Sequence, residues 1–100
     1  MGVSDDDVHF TWDNRKAASN LRKHGVSFEA ATFVFDDPRR LEDADVFARG
    51  EYRNVIVAAV QSFVLTVIYT EPEEGLIRII SARLATPTER KAYEQHLFRS

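Results

Sequence analysis

The segment EYRNVIVAAVQSFVLTVIYTEPEEGLIRIISA, residues 51–82, decides the fold because it predicts three β-strands in close succession. β-Branched and aromatic residues, which fit the pleated surface of a sheet, dominate three parts of this segment. The predicted strands are residues 51–60, 63–70 and 76–82. Gln61 and Ser62 form a predicted two-residue turn, and a five-residue loop separates the second strand from the third. The segment therefore predicts an antiparallel meander.

The predicted turn and loop also determine which side chains share a face of the meander. The two-residue turn pairs Arg53 with Thr70, and a closed five-residue loop places Arg78 opposite Ile68. Cross-strand partners lie on the same face, so Arg53 and Arg78 are predicted to share one face of the sheet. The opposite face is predicted to hold Tyr69, Ser81 and Arg83. A slip of one residue would reverse these assignments.

Two helices are predicted before the meander. Asp13 is a good N-cap for a helix over Asn14–His24, and Gly25 is suited to end that helix. Ser27 caps a second predicted helix, residues 28–35, in which apolar residues recur at helical spacing. The buried stripe of the first helix is predicted to be Ala17, Ala18 and Leu21.

The remaining segments complete an α+β domain. Residues 9–12 predict a short edge strand, and residues 39–42 predict another short strand followed by a loop. Thr86 and Glu89 form a capping box with Pro87 at the first helical position, which predicts a last helix to about residue 98. The predicted order is β-α-α-β-β-β-β-α, with the helices segregated from a mostly antiparallel sheet, and this arrangement is typical of the α+β class.

Composition indicates one small domain with an acidic N-terminal tail. The chain has 100 residues, of which 44% are hydrophobic, enough for a single core. Residues 1–7 include three aspartates and predict a disordered tail, whereas residues 8–100 predict a single domain. There are 16 acidic and 13 basic residues, so these three aspartates account for the net charge of −3. The cations concentrate near residues 15–23 and 78–99, which indicates a basic face unless the surface is simply mixed.

Several functional classes are excluded by what the sequence lacks. There are no cysteines, which excludes disulfides, thiolate zinc sites and a cysteine nucleophile. The three histidines, His9, His24 and His96, do not have the spacing of metal ligands. No apolar run approaches the ~18 residues of a membrane span, and residues 1–7 do not resemble a signal peptide. We therefore expect a cytoplasmic protein without a metal or another cofactor.

Arg78 is the most informative candidate for function. It interrupts the apolar run Leu76 to Ile80, and a charged side chain within a strand needs a partner because burying an unpaired charge is costly. One interpretation is an ion pair with Glu51 or with another carboxylate. The other is a phosphate contact, for which the guanidinium fork is well suited, with Arg53 on the same face.

The end of the first helix supplies two more candidates. Lys23 is a candidate phosphate ligand, and His24 is a candidate general acid or base because imidazole side chains exchange protons near neutral pH. Compensation of the helix dipole by these two residues would also explain their positions. Both interpretations remain open from sequence alone.

Two aromatic residues and two arginines complete the candidate set. Trp12 and Tyr69 are candidates for stacking on bases, although packing in a core is the commoner use of such rings. Arg83 precedes the last predicted helix, and Arg90 lies near its start, where a cation opposes the helix dipole. The cation at the start of the helix is a sign of an anionic partner, although exposed cations on helices are common.

The candidates include every group that metal-independent RNA cleavage requires. A base removes the 2′-hydroxyl proton, cations stabilise charge on the phosphorane, and an acid protonates the leaving 5′ oxygen. The catalytic candidates are Lys23, His24, Glu51, Arg53, Arg78 and Arg83.

Both halves of the chain resemble one known family. The blocks FTWD at 10–13, NLRKHGVSFEAA at 20–31 and VFDDP at 34–38, with Lys16 between the first two, resemble the N-terminal half of BrnT toxins. The C-terminal half of that family is similar to four further blocks, EYR at 51–53, VIYTE at 67–71, RIISAR at 78–83 and ATPTER at 85–90. The resemblance covers residues 10–94.

This resemblance implies a RelE-like fold and an endoribonuclease toxin of a type II toxin–antitoxin system that inhibits translation. It also implies a BrnA-type antitoxin as partner, with a ribbon-helix-helix part that contacts operator DNA. The residues expected to bind RNA are then Trp12, Lys16, Tyr69 and Arg90. The acidic net charge favours an alternative, a non-catalytic binding module kept for antitoxin complex formation and autoregulation of the operon.

Overall fold

The structure is a computed structural model that describes residues 8–48 and 51–99, with side chains over 8–43 and 52–97. The predicted acidic tail, residues 1–7, lies outside the described residues. The strands and helices follow in the order β1 His9–Thr11, α1 Asn14–His24, α2 Phe28–Ala31, a 3-10 helix Thr32–Asp36, β2 Leu41–Ala48, β3 Glu51–Val60, β4 Phe63–Glu73, β5 Leu76–Leu84 and α3 Pro87–Arg99. None of the helices in the described part is long and apolar enough to cross a membrane.

The five strands form one mixed sheet in the order β1-β5-β4-β3-β2. Strands β2 to β5 are an antiparallel meander, as predicted, because each pairs with the next along the chain. The short strand β1 adds to the free edge of β5 in parallel, with Thr11 opposite Arg78. The predicted α+β class is confirmed by this sheet and its three helices.

Helices pack on both faces of the sheet. On the first face, α2 and the 3-10 helix contribute Phe28 and Val34 to a core with Ile56, Val67 and Ile79 of the sheet. On the second face, the core is smaller and includes Val57, Ala85 and the α3 residue Tyr93. α3 therefore leaves uncovered the end of the second face where β4 turns into β5, and the polar side chains of the sheet are exposed there.

The predicted caps of α1 are confirmed. Of its predicted buried stripe, Ala17 packs partly buried against the core as predicted, whereas Ala18 and Leu21 are exposed. The Asp13 carboxylate accepts hydrogen bonds from the backbone N–H groups of Arg15 (2.8 Å) and Lys16 (3.2 Å), and these bonds lower the pKa of Asp13. Gly25 ends the helix with a positive φ of 71°, a conformation that favours glycine. The buried residue of the helix is Asn20, and Leu21 is exposed.

The first predicted hairpin register is confirmed, and the second is wrong. Val60 pairs with Phe63 across the turn at residues 61–62. β4 continues to Glu73 and pairs with Leu76 there, so the connection is tighter than the predicted five-residue loop. As a result, Arg78 lies opposite Thr70 and not opposite Ile68.

A bulge in β5 corrects the predicted faces of its second half. Tyr69 pairs with Ile79, but the preceding residue Ile68 pairs with Ser81, so β5 has one extra residue between the two pairs. An extra residue changes the face on which all the following side chains lie. Ser81 and Arg83 are therefore on the face of Arg78, opposite to the face that contains Tyr69.

Two further boundaries differ from those predicted. The second helix, predicted over residues 28–35, tightens into a 3-10 helix after Ala31, as helices often do at their carboxyl ends. The second strand, predicted over residues 39–42, extends over Leu41–Ala48 because it pairs with β3 along its length, with a bulge between Asp43 and Val46. Pairing between strands stabilises a segment whose own composition is weakly strand-forming.

Candidate functional site

A groove of about 620 Å³ lies at the uncovered end of the second face of the sheet. Its basic side chains are those of Lys16, Arg53 and Arg78, and Thr70 lies between the two arginines. Glu71 is the acidic residue that contributes to its lining among the described side chains. We call this feature the cationic groove. It confirms the prediction that Arg53 and Arg78 share a face.

Strand pairing explains how three distant parts of the sequence meet in the cationic groove. Arg78 of β5 lies opposite Thr70 of β4. Arg53 and Thr70 are the residues next to the Asn54–Tyr69 pair, which ends the β3–β4 pairing. On the other side of β5, Thr11 lies opposite Arg78, so α1 begins beside that arginine and its first turn carries Lys16 to the groove. The groove therefore depends on the pairing of β5 with two neighbours.

The surroundings of Arg78 favour the phosphate-contact interpretation over an ion pair with a described carboxylate. Its side chain is exposed at the groove, and no hydrogen bond or ion pair joins it to another side chain in the described ranges 8–43 and 52–97. The side chain of Glu51 lies outside these ranges, so the predicted pair with Glu51 stays a prediction. An arginine without a described carboxylate partner has its guanidinium N–H groups available for a ligand.

Lys23 and His24 line a second cavity, of about 220 Å³, next to the cationic groove. Lys16 and Ile80 border both cavities, so the two are continuous along the side of α1 that contacts β5. Lys16 and Lys23 are two helical turns apart and lie on the same side of the helix. The predicted candidates at the end of α1 are therefore neighbours of the groove.

Asn20 holds α1 against β5 and was not a predicted site residue. Its Nδ2 donates hydrogen bonds to the carbonyl oxygens of Val26 (3.0 Å) and Ala82 (2.7 Å). Its Oδ1 accepts from the N–H of Ala82 (3.2 Å) and more weakly from Ser81 Oγ (3.4 Å). The side chain thus replaces a missing strand at the edge of β5 beyond the end of β1. Position alone does not reveal this role, because an asparagine within a helix is usually exposed.

Arg83 lies away from the cationic groove, in an ion pair with Glu89 of α3. Its Nη1 and Nη2 donate to the two carboxylate oxygens of Glu89 at 2.7 and 3.0 Å. The hydrogen bond from Arg83 is the main reason why the pKa of Glu89 falls to about 2. Arg83 lies five positions after Arg78 along β5, roughly 15 Å away. The guanidinium of Arg83 is therefore already occupied in joining α3 to the sheet.

The structure does not bring the two aromatic candidates to the groove. Tyr69 is buried on the first face, where its ring makes an edge contact with Phe35 and its hydroxyl donates to Glu42 Oε1 at 3.2 Å. Burial, together with the nearby Glu42 carboxylate, raises the pKa of Tyr69. Trp12 packs edge-on against Phe28, with ring centroids 5.9 Å apart. Both rings are mainly core residues.

Arg90, the remaining predicted RNA ligand, is exposed on the first turns of α3. It does not line the cationic groove or the cavity beside it. Thr70, by contrast, lines the groove and was not a predicted site residue, although its predicted pairing with Arg53 already placed it on the right face. The site is thus formed by Lys16, Arg53, Thr70 and Arg78, with Lys23 and His24 beside them.

The arrangement is suited to an anionic, phosphate-bearing ligand. Three cations from three elements face one open groove, and long basic side chains around a concave surface concentrate positive potential there. No three histidine, aspartate or glutamate side chains of the described residues are grouped so that they could hold a metal ion. Fold and site together define a small α+β protein with an open cationic groove.

Comparison with known proteins identifies the family. The family model described as "Ribonuclease toxin, BrnT, of type II toxin-antitoxin system" matches residues 12–89, well over half of the chain. The chain belongs to this family of ribonuclease toxins. The resemblance noted in the sequence is thereby confirmed. No curated protein sequence matches the chain.

A solved structure supports the same fold. The chain is similar to the crystal structure of the ribonuclease toxin BrnT of Brucella abortus, with a TM-score of 0.58 and 23% sequence identity. The similarity covers 79% of this chain and 97% of the Brucella chain. The two proteins therefore share an α+β fold with a comparable sheet and helices.

Proposed function

We propose that the cationic groove is where this toxin binds and cleaves RNA, without a metal ion, and thereby inhibits translation in the cytoplasm. The observation that carries the proposal is the convergence of Lys16, Arg53 and Arg78 on one open groove. RNA has one negative charge per phosphate, and basic side chains that neutralise these charges supply most of the affinity of such interfaces. The fold that holds this groove is, in our proposal, of the RelE-like type.

The side chains around the groove have the roles that cleavage through the 2′-hydroxyl requires. The 2′ oxygen attacks phosphorus, its proton passes to a base, and the bond from phosphorus to the 5′ oxygen breaks as that oxygen takes up a proton. Arg78 and Arg53 stabilise the negative charge of the phosphorane, because preorganised cations are most effective where charge develops. His24 is a candidate for proton transfer and Lys23 is a further phosphate ligand. Glu51, whose side chain lies outside the described residues, is the second candidate for proton transfer.

The composition of the groove supports a mechanism without metal ions. Enzymes that cleave nucleic acid with metals hold the ions mainly with carboxylates, whereas this groove is lined mainly by cations and neutral groups. Arginine and lysine can perform the charge stabilisation that a metal ion would otherwise provide. The proposed substrate is therefore bound by protein groups alone.

Membership of a type II toxin–antitoxin family implies an antitoxin protein as partner. We propose that it is a BrnA-type protein with a ribbon-helix-helix part, and that the toxin reaches operator DNA only through it. A neighbouring gene that encodes a short protein with a ribbon-helix-helix pattern would support this partner.

The proposal is tested by RNA cleavage in EDTA with wild type, Arg78→Ala and Arg22→Ala. Wild type is expected to cleave, and Arg78→Ala to lose about 100-fold or more of the rate, as when a charge-stabilising group is removed. Arg22 is also exposed but lines neither the groove nor the cavity beside it, so Arg22→Ala is expected to cleave like wild type. Circular dichroism checks that all three proteins are folded.

Three results would contradict this proposal. Cleavage by Arg78→Ala at the wild-type rate would remove the groove from the active site. A folded wild type that leaves RNA intact, does not arrest growth and still binds its antitoxin would favour the non-catalytic binding module. Cleavage that occurs only when a divalent metal ion is added would refute the metal-independent mechanism.

A further inference from the structure

A second groove, of about 390 Å³, lies at the carboxyl end of α1. Three of its large apolar side chains are about half exposed: Leu21 (50%), Phe63 (56%) and Leu84 (50%). We call this feature the apolar groove. Single exposed apolar residues are common, but a cluster of large ones around a concavity marks a surface that another molecule covers.

The three side chains lie at or near the ends of their elements. Leu21 follows the buried Asn20 near the end of α1, Phe63 is the first residue of β4, and Leu84 is the last residue of β5. Leu84 pairs with Leu65, whose side chain is buried in the first core. The apolar groove therefore extends the first core to the surface, where an additional apolar segment would continue the packing.

The charges around the apolar groove indicate the chemistry of its occupant. No aspartate or glutamate lines it, and α1 beside it has four cations and no acidic residue. Those cations are Arg15, Lys16, Arg22 and Lys23. A segment with apolar residues for the groove and carboxylates for the exposed side of α1 is complementary to this surface.

His24 connects the apolar groove with the RNA-binding region. It lines the apolar groove and also the cavity that contains Lys23, and that cavity is continuous with the cationic groove through Lys16. A segment anchored in the apolar groove and extended along α1 would cover these basic side chains. It would therefore compete with RNA for the same surface.

We propose that the apolar groove binds an amphipathic, acidic segment of the cognate antitoxin, which then extends along α1 and blocks the cationic groove. The identity of the partner rests on the proposed function. RNA does not fit the apolar groove itself, because no arginine or lysine lines it to bind phosphates. A second copy of this chain fits poorly, because a symmetric contact would bring the cations of the two α1 helices together.

The test measures binding of the antitoxin encoded beside the gene of this chain, by titration calorimetry with purified proteins. Phe63→Ala and Leu84→Ala are each expected to weaken the complex about tenfold or more, as truncation of a central interface residue does. Phe33→Ala is the matched control, because Phe33 is equally exposed (57%) but lines a different groove, beside Asp36 and Asp37. The control is expected to bind like wild type.

RNA cleavage by the same variants separates this inference from the proposed function. Phe63 and Leu84 lie outside the cationic groove, so the Phe63→Ala and Leu84→Ala variants are expected to cleave RNA at the wild-type rate. Because both variants bind the antitoxin more weakly, the antitoxin is expected to inhibit them less than it inhibits wild type. If wild type does not cleave RNA but the two variants still lose antitoxin binding, the apolar groove remains the docking surface and the proposed function fails.

Two outcomes overturn the inference. The first is antitoxin binding by Phe63→Ala and Leu84→Ala that is as tight as that of Phe33→Ala. The second is a dimer of the free chain, observed by sedimentation velocity, that Phe63→Ala dissociates, because the groove would then bind a second copy. A monomeric free chain, together with an antitoxin affinity that falls as salt is added, supports an acidic occupant.

Discussion

Asn20 and Leu21 are neighbours on α1 whose environments are the reverse of those that their chemistry predicts. The amide of Asn20 is buried and fully hydrogen-bonded, whereas the aliphatic side chain of Leu21 is half exposed. A buried amide is tolerated when each polar group has a partner, and here the partners are backbone groups at the edge of β5 and at Val26. Asn20 thus shows where α1 is joined to the sheet, and Leu21 lies where we propose that the antitoxin binds.

We expect Asn20→Ala to lower the free energy of unfolding by about 2–3 kcal/mol, because the backbone groups of Ala82 and Val26 would lose their partners inside the protein. The measurement is urea denaturation followed by circular dichroism. Ser19→Ala is the control, because Ser19 lies beside Asn20 at the same cavity without a described hydrogen bond from its side chain. Equal stability of the two variants would contradict the role of Asn20.

α3 is stabilised by hydrogen bonds within its own first turn and by contacts with the sheet. The Thr86 hydroxyl accepts from the N–H of Glu89 at 3.1 Å, and Glu89 Oε1 accepts from the N–H of Thr86 at 2.9 Å, so the predicted capping box is confirmed. The same carboxylate accepts from Thr66 Oγ1 (2.9 Å) and pairs with Arg83. Further along the helix, the Tyr93 hydroxyl donates a hydrogen bond to Asp37. α3 is therefore held on the second face by polar contacts as well as by packing.

The ion pair of Arg83 predicts a pH-dependent contribution to stability. The pKa of Glu89 is about 2 in the folded protein and 4.5 ordinarily, so the pair stabilises the fold above pH 4.5 and this contribution is lost between pH 4.5 and 2. Glu89→Gln keeps the capping geometry but removes the charge. We expect it to be less stable than wild type by about 1–2 kcal/mol at pH 7, since solvent screens a partly exposed pair.

Thermal unfolding between pH 7 and pH 2 measures this difference. The gap between wild type and Glu89→Gln should stay constant above about pH 5 and shrink on further acidification. Glu94→Gln, an exposed position on the same helix, should show no comparable gap. A gap that persists unchanged at pH 2 would show that the charge of Glu89 does not stabilise the fold.

At the scale of the whole molecule, the net charge does not indicate which partner the protein binds, because binding depends on how the charges are distributed over the surface. The chain has a net charge of −3, yet three elements far apart in sequence bring Lys16, Arg53 and Arg78 to one groove. Local potential near a binding surface depends on the nearest charges, since salt screens those beyond about 8 Å at physiological ionic strength. An acidic chain can therefore bind RNA through a basic face.

We expect the affinity for a single-stranded oligonucleotide to fall with salt in proportion to the number of phosphate contacts. With a 2′-deoxy oligonucleotide, which lacks the attacking hydroxyl, binding is measured by fluorescence anisotropy without cleavage. Arg78→Ala should reduce the slope of log K against log salt by about 0.7, one phosphate contact. Arg78→Lys, which keeps the charge, should retain most of the slope, and an unchanged slope in Arg78→Ala would exclude a phosphate contact.

The sequence by itself determined the elements of this protein and much of its family character. Alternating and continuous apolar runs predict the meander, and Asp13, Gly25 and the Thr86–Glu89 box predict where helices begin and end, because these signals act within a few residues. Blocks spread over both halves of the chain indicated the ribonuclease toxin family before the fold was known. The α+β class and the shared face of Arg53 and Arg78 followed from these local signals.

Only the tertiary structure decided which candidates meet. The bulge in β5 changes the face on which Arg83 lies. Arg83 then pairs with Glu89, away from the cationic groove. Tyr69 and Trp12 pack in or against the first core and not at the groove. A single inserted residue and a contact between distant elements leave little trace in local sequence, because both result from the way strands and helices pack. For the same reason Asn20, and not Leu21, is the buried residue of α1. The backbone groups at the edge of β5 require hydrogen-bond partners, and this edge forms only when the chain is folded.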